Sequence, residues 1–559
     1  MVTLAPVQSV YSGRAMVAAP DHLAAQAGLA MLTAGGSAAD AAVATSAVLA
    51  VTTPHLCGMG GDLWAVASHG STRPGGTPAA GGESPGEKDP HTIPSGGPPV
   101  VALCAAGRAG SGADLQRLLA DGHRSIPPHG HPAAVPVPGC VDGWVELHRR
   151  LGRLPLAQVL EPARQYASSG FPASPTLAAA IPTVAHLAGA EPLLDGGPPV
   201  PGALVRRTGV AEALEAIAAD GRDGFYQGRF GRGLMELAGG EFTAADLAEC
   251  QADWVEPLQI EAWGSTIWTV PPPSQGYLTL AGAWIAQGLD LPGDGHDPLW
   301  AHLLVEAARQ AGHDRLDVLH ESADGQALLA PSRLERRRRA IDPTRTSPLA
   351  GRYGNGDTIA CLAATSDGDA VSLVQSNASG FGSGLIEPTT GIFLHNRGTG
   401  FSLDPTHPAA YGPHRRPPST LCPTLVTDRA GRFSAAIGSM GGDRQPQILL
   451  QLLARLLQLG QLASEAVPAG RWGLSAPAGF AGLRPSGFDT WEAADRTVVA
   501  VEGQAPAGWA EGLTRLGHTI VRSDPYQGTF GHAHAIVVRD GVLEGSADPR
   551  TLGSGVAAL

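Results

Sequence analysis

A chain of 559 residues that is 43% hydrophobic and only 16% charged can bury a large core and has room for several domains. Its 75 glycines and 47 prolines imply many turns and close backbone approaches, and a formal net charge of -13 argues against a nucleic-acid partner, whose phosphates would be repelled. No apolar run reaches the roughly 18 residues a membrane span needs, and the start, "MVTLAPVQSVYSGRAMVAAPDH", lacks a basic segment followed by an apolar one, so a cytoplasmic protein with no membrane partner is expected.

In chain order, residues 21–53 read as two alanine-rich helices broken at Gly35-Gly36, where glycine can stop the first helix in a left-handed cap. So little charge implies that both pack against a sheet. The "GMGGDLW" stretch, Gly58 to Trp64, matches neither phosphate-binding pattern and reads as a tight turn leading into a strand. Residues 69–99 form a Gly/Pro/Ser-rich insertion too poor in apolar surface to order itself, expected as a disordered surface loop. "HRSIPPHGH" gathers His123, His129 and His131, but no HExxH or carboxylate follows at ligand spacing, so surface histidines are expected and no metal site. From "VPGCVDGW" to about residue 340 the pattern is mostly helical. Within it, the basic run Arg336 to Arg339 reads as a solvated helix face. A polar link, "DPTRTSPLAGRYGNGD", precedes a strand over Thr358 to Thr365, a turn at "SDGD" and a returning strand through Ser376, the pattern of a hairpin. Short strands dominate from there on.

The six cysteines, Cys57, Cys104, Cys140, Cys250, Cys361 and Cys422, lie far apart with no CxxC pair, and read as buried free thiols. No GxSxG elbow is present, and no cysteine stands out with a His and an Asn partner. With the ordinary hydrolase nucleophiles missing, Thr358 becomes notable, because it opens a strand directly after "GNGD", where neither packing nor turn chemistry asks for a hydroxyl. Many such threonines merely start strands. A threonine can also be a nucleophile without a histidine if its own α-amine is the base. That requires Thr358 to become a chain start, which follows if its hydroxyl attacks the carbonyl of Asp357 in an N-to-O shift and water cleaves the ester. The glycine-flanked "GNGD" permits the strained approach.

Nine strings then occur in order: "GGSAADAAVATSAVLAVTTPHLCGMGGDLW", "AAGR", "VPVPGCVDGW", "PPPSQG", "GDT", "FGSG", "NRGTGFSLDP", "RRPPSTLCPTL" and "GSMGGDRQPQ". Through them nearly the whole chain resembles the γ-glutamyltransferase (glutathione hydrolase) family of N-terminal nucleophile hydrolases. The resemblance implies an α+β fold, a four-layer αββα sandwich with Thr358 opening a central strand. It also implies cleavage between Asp357 and Thr358 into a helix-rich chain of residues 1–357 and a strand-rich chain of 358–559, a heterodimer sharing one core. Thr358 would be both the self-cleaving residue and the nucleophile. Ser376 matches its supporting hydroxyl, and Gly441 and Gly442 match the pair whose N–H groups hold the oxyanion. Arg108, Ser419 and Thr420 match the groups that receive the α-carboxylate of a glutamyl substrate. The partner implied is a small amide such as glutathione, with no cofactor.

Departures from the family pattern bear on the substrate. Ile359 and Ala360 stand where γ-glutamyl-specific members carry a second Thr and a His. The positions that hold the α-amino group fall on Ala378 or, one residue away, Asn377, and on Arg397 and Gly400, where Gly400 replaces an acid and a cationic Arg397 would repel an ammonium. "NRGTGFSLDP" and "GGDRQPQ" resemble instead a divergent branch that includes acylases and small amidohydrolases. Three readings follow: a self-cleaving γ-glutamyl amide hydrolase or transferase, an amidohydrolase or acylase taking an oxamate-like or glutaryl-like group, and an uncleaved binding protein without chemistry. Retention of Thr358, Ser376 and the glycine pair favours an enzyme. Apportioning 57.0 kDa by residue count, freshly purified protein is expected to run as two bands of roughly 36 and 21 kDa; a single full-length band on a denaturing gel would favour the silent reading.

Overall fold

The computed structural model describes residues 9–70, 99–194, 197, 199–347, 349, 358–475 and 497–559. Most of the insertion expected over 69–99, and the "GRYGNGD" segment with Asp357, lie outside the described residues. The chain is a mixture of helix and sheet. Its two large sheets use fourteen strands: β1 (Val10–Ser12), β2 (Ala15–Ala19), β3 (Asp62–Ser68), β4 (Val100–Ala105), β5 (Asp253–Val255), β6 (Leu258–Ala262), β7 (Ser265–Thr269), β8 (Ile359–Thr365), β9 (Ala370–Ser376), β10 (Thr424–Thr427), β11 (Phe433–Ser439), β12 (Ala533–Arg539), β13 (Val542–Ala547) and β14 (Gly555–Ala558). The helices that cover them include α1 (His22–Thr33), α2 (Ala38–Thr52), α3 (Cys140–Leu151), α4 (Leu156–Ser169), α5 (Tyr277–Gln287), α6 (Pro298–Gly312), α7 (Pro331–Arg339), α8 (Gln445–Leu453) and α9 (Ala507–Arg515).

One seven-stranded sheet runs β14-β2-β8-β9-β3-β4-β5 and the other β1-β13-β12-β11-β10-β7-β6, every pairing antiparallel. Strands from both sides of residue 358 interleave in each. The hairpin expected at Thr358 forms as β8 and β9, with Ile359 opposite Gln375. Side-chain parity then sorts the residues. In β8, Ile359, Cys361 and Ala363 join an apolar cluster with α1 to α4, whereas Ala360, Leu362 and Ala364 join one shared with Trp268, Leu425, Ala436 and Ile536 of the other sheet. The second sheet sends Ile267, Val426, Ala435 and Ile437 to a third cluster with α5, α6, α8 and α9. With both faces of the central strands covered, they carry the near-continuous apolar runs of buried strands. Where the sheets meet, the approach is close: a Cβ added to Gly438 of β11 would lie 2.8 Å from the Cβ of Ala360.

The first two helices end and begin as expected. Gly35 takes φ 88°, a conformation that glycine tolerates, and Ser37 with Asp40 forms a capping box that starts α2. Alanine is abundant because α1 and α2 nearly touch: a Cβ on Gly28 would lie 2.3 Å from Thr45 Oγ1.

Two expectations are corrected. The stretch before residue 340 also contains a hairpin, β6 and β7, turned at Trp263 and Gly264, both at positive φ. The twisted turn such hairpins prefer requires this pair of dihedrals, and the helical reading passed over the alternation in "LQIEA". The basic run is not uniformly solvated either: Arg337 is buried and donates to the carbonyls of Gln310 (2.6 Å) and Ala311 (2.8 Å), closing the C-terminal end of α6. Its neighbours follow the expected surface pattern, Arg338 and Arg339 both pairing with Glu335 on the same helix. Among the described residues no helix is long and apolar enough to cross a membrane.

Burial leaves several imidazoles neutral. Desolvation lowers His55 to about 3, His518 to about 4, His532 to about 4 and His534 to about 3. A folded value below the unfolded one near 6.5 means that the stabilisation is complete above pH 6.5 and is lost as pH falls toward 4. Each unit is worth about 1.4 kcal/mol, so the denaturant midpoint should drop steeply between pH 6.5 and 4; a midpoint flat across that window in urea titrations would contradict the buried, neutral assignment.

Candidate active site

Parity puts the Thr358 side chain on the face of β8 that carries Ala360, between the sheets, and Ser376 on the matching face of β9. Both are fully buried, and their hydroxyl oxygens lie 3.3 Å apart. The Ser376 oxygen also accepts from the N–H of Ala378 at 2.7 Å, a contact that holds Ala378 at φ 75° just past the strand end. Next to it, Asn377 donates through its side chain to the Pro54 carbonyl (3.0 Å) and through its N–H to that of Leu56 (3.0 Å), so it fixes the loop that carries "GMGGDLW". A Cβ on Gly61 would come within 2.2 Å of the Ser376 carbonyl. The glycines of this turn let two backbones touch, and no phosphate pattern is needed to explain them.

That turn delivers Asp62, the first residue of β3, which lies opposite Ser376 in the ladder. Its carboxylate takes the guanidinium of Arg397 in a two-point grip, Nε to Oδ2 at 2.8 Å and Nη2 to Oδ1 at 3.3 Å, with both side chains inaccessible. Arg397 Nη1 then donates to Thr420 Oγ1 at 3.1 Å. From Thr420 the connections continue through Gln275, whose Nε2 donates to the carbonyls of Thr420 (3.1 Å) and Gly442 (3.0 Å). Ser419 is pinned beside it, exchanging backbone bonds with Pro273 and Gln275 at 2.8 and 2.9 Å. The residues expected from sequence at Thr358, Ser376, Arg397, Thr420 and Gly442 thus join one circuit, with Ser419 and Asn377 on its border. Asp62 and Gln275 complete it and were missed: each stood inside a string noticed for its glycines or prolines, and nothing local marked either as a partner.

Gly441 and Gly442 follow β11, whose Gly438 rests on Ala360 two residues beyond Thr358. They sit at φ 145° and 51°, and among the described residues neither N–H donates a hydrogen bond. Two buried, uncommitted N–H groups on a rigid turn suit a developing oxyanion. The turn is anchored by the next residue, Asp443, which accepts from Arg315 Nη2 at 3.0 Å.

Arg108 stands apart from this circuit. Its Nη2 donates to Asp253 Oδ2 at 2.8 Å, an oxygen that Arg416 also holds at 2.6 Å, and no hydrogen bond among the described residues joins its guanidinium to Ser419, Thr420 or Arg397. Asp253 is half-exposed, and Arg416, three residues before Ser419, is a second cation there that sequence reasoning did not single out.

The thiols offer no competing nucleophile. Cys57 and Cys140 both contact the Gln375 side chain; burial pushes Cys57 up to about 12 and raises Cys140 and Cys361 well above the ordinary range, so none is a thiolate. Cys250 differs from the expected buried thiols in being only half-buried. The His123 and His131 rings meet edge-on at 5.6 Å, and no group of three or more metal-ligating side chains is found among the described residues.

Comparison with known proteins agrees along the whole chain. The profile of the Gamma-glutamyltranspeptidase family matches residues 24–97 and 93–558. The chain is 36% identical to an oxamate amidohydrolase proenzyme of Klebsiella pneumoniae, covering 97% of this chain and 98% of that one. It is 32% identical to the glutathione hydrolase-like YwrD proenzyme of Bacillus subtilis, covering 98% and 99%. Among solved structures, cephalosporin acylase from Bacillus halodurans superposes with a TM-score of 0.85 at 31% identity, over 100% of this chain and 98% of that one. With this profile match and these full-length relatives, the chain belongs to the gamma-glutamyltranspeptidase family, on the side of it that includes an oxamate amidohydrolase and an acylase.

Proposed function

We propose that this protein is an amide-bond hydrolase that cuts itself before Thr358 and then uses Thr358 as its nucleophile, on a four-layer αββα frame. The frame is supported by the three apolar clusters, one between the sheets and one on each outer face. The observation that carries the chemistry is the 3.3 Å contact of Thr358 Oγ1 with Ser376 Oγ, on a strand whose inter-sheet face meets the strand leading to Gly441-Gly442.

In maturation, Thr358 Oγ1 attacks the Asp357 carbonyl carbon, the C–N bond breaks, and an ester with a free Thr358 amine results. Water cleaves the ester to leave an Asp357 carboxylate and a threonine at a chain start, dividing residues 1–357 from 358–559. In turnover the α-amine takes the hydroxyl proton, and Oγ1 adds to the substrate's amide carbonyl. The oxyanion is received by the N–H groups of Gly441 and Gly442, the α-ammonium returns the proton to the departing amine, and water then releases the acyl group. Ser376, whose oxygen already accepts from Ala378, holds Thr358 Oγ1 in line.

For the acyl group we favour one ending in a carboxylate but lacking the α-amine, oxamate-like or glutaryl-like, received by Ser419 and Thr420, with Arg108, which shares Asp253 with Arg416, as the cation for its carboxylate. The relatives named for oxamate and cephalosporin chemistry support this choice. A γ-glutamyl donor is the second reading, favoured by the glutathione hydrolase-like relative. Comparing kcat/KM for oxamate, a glutaryl amide, a γ-glutamyl anilide and glutathione separates them.

Thr358→Ala should abolish both self-cleavage and turnover, while Thr358→Ser keeps part of the cleavage; two chains cut at the same bond in Thr358→Ala would refute the assignment. In a processed, folded Gly442→Val enzyme, the β-branched side chain resists the φ 51° backbone and should move one oxyanion N–H out of line, lowering kcat on the order of a hundredfold or more; an unchanged kcat would remove the glycine pair from the mechanism.

A further inference from the structure

The Asp62–Arg397 pair lies where a substrate's acyl group would be held, and its arrangement decides which ligand end can be accepted. Asp62 is the only acid in the circuit that runs from Thr358 through Ser376, Arg397, Thr420 and Gln275 to Gly442. It begins β3 directly opposite Ser376, and it is completely buried. An acid at that place would ordinarily be a seat for an ammonium group. Both of its oxygens, however, are taken by Arg397, which is itself 1% exposed.

The pair is also charge-neutral, so Arg397 does not act as the bare cation its place in the sequence suggests. Its remaining effect is local. Because Arg397 Nη1 donates to Thr420 Oγ1, the Thr420 oxygen serves as acceptor there, and its own hydrogen must point elsewhere. Ser419 is similar, its Oγ accepting from the Leu421 N–H at 3.4 Å. Among the described residues neither hydroxyl donates to a protein acceptor, so both buried hydroxyls keep a hydrogen that a ligand's acceptor could take.

We infer that Asp62 is a specificity-determining residue: masked by Arg397, it leaves a neutral, donor-lined wall that accepts an acyl group ending in a hydrogen-bond acceptor such as a carboxylate and turns away one bearing an ammonium. This rests on reading the circuit as the acyl site, and it makes Arg397 the mask and Asp62 the hidden ammonium seat.

The test is equilibrium binding by calorimetry of matched ligands that differ by one amine, glutarate against L-glutamate and succinate against L-aspartate, to the purified protein. The wild-type protein should bind the amine-free member of a pair at least tenfold more tightly. Arg397→Gln unmasks Asp62, and the preference should shrink at least fivefold. The isosteric Asp62→Asn frees Arg397 instead, and the preference should grow at least fivefold. The Asp62→Asn/Arg397→Gln double variant, with neither charge, should return toward wild type. A merely structural role for the pair would weaken both ligands alike and leave their ratio fixed. A ratio that moves less than twofold in folded Arg397→Gln and Asp62→Asn overturns the inference. So does tighter binding of the amines by the wild type, or no binding of either pair. Should Arg397→Gln fail to fold, Asp62→Asn reads the same pair from the opposite side. The acyl-enzyme reading is judged separately by the loss of turnover in Thr358→Ala, so either idea can fail while the other stands.

Discussion

The buried contact between Asp62 and Arg397 fixes the positions on which the rest of the site depends. Removing two charges from water costs several kcal/mol per ion, and leaving one without its partner costs about 3–5 kcal/mol. The two-point geometry therefore admits little displacement. Asp62 belongs to the ladder that holds Ser376, and Arg397 reaches the Thr420 hydroxyl, so one ion pair sets the distance between the Thr358–Ser376 hairpin and the segment that carries Ser419 and Thr420. Gln275 carries the constraint on to the glycine turn without any further charge.

A second constraint is steric. The two sheets can bring the end of β11 over the start of β8 only because Gly438 and Ala360 are small; a side chain at Gly438 would meet Ala360 at 2.8 Å and push the glycine turn away from Thr358. The same economy of volume operates between α1 and α2, where Gly28 admits Thr45. The high alanine and glycine content that gives the sequence its character is thus a consequence of layers that approach closely, and the close approach is what brings the end of β11 over the start of β8.

Much of this was legible in the sequence, and for identifiable reasons. The hairpin at Thr358 announced itself by an Asp-Gly turn between alternating residues, and the α1–α2 break by its glycines. Thr358 stood out as a candidate nucleophile by elimination together with its place in a chain of family strings. The β6–β7 hairpin was hidden because its turn is a Trp-Gly pair without the usual Asn or Asp. Arg337 was hidden because a buried arginine that closes a helix end reads, in one dimension, like its exposed neighbours. The pairing of Arg397 was hidden for a deeper reason: the charge of a residue is local to its own position, but its field depends on a partner, and Asp62 lies more than three hundred positions away in the chain. Gln275 escaped notice for the same reason.

The interleaving of the sheets has a mechanical meaning for a chain interrupted before Thr358. Strand β8 is stitched on one side to β2, from the N-terminal part, and β9 on its far side to β3, from that part again, while β14 near the C-terminus borders β2. A break at that point would cut one covalent link and no ladder. The two pieces would be held like the halves of a zip closed along several rows, each incomplete as a sheet when alone, with exposed strand edges prone to wrong pairing. Were the chain cut there, joint assembly before the cut would be the physical route to a two-piece protein, and a single translated chain would supply it.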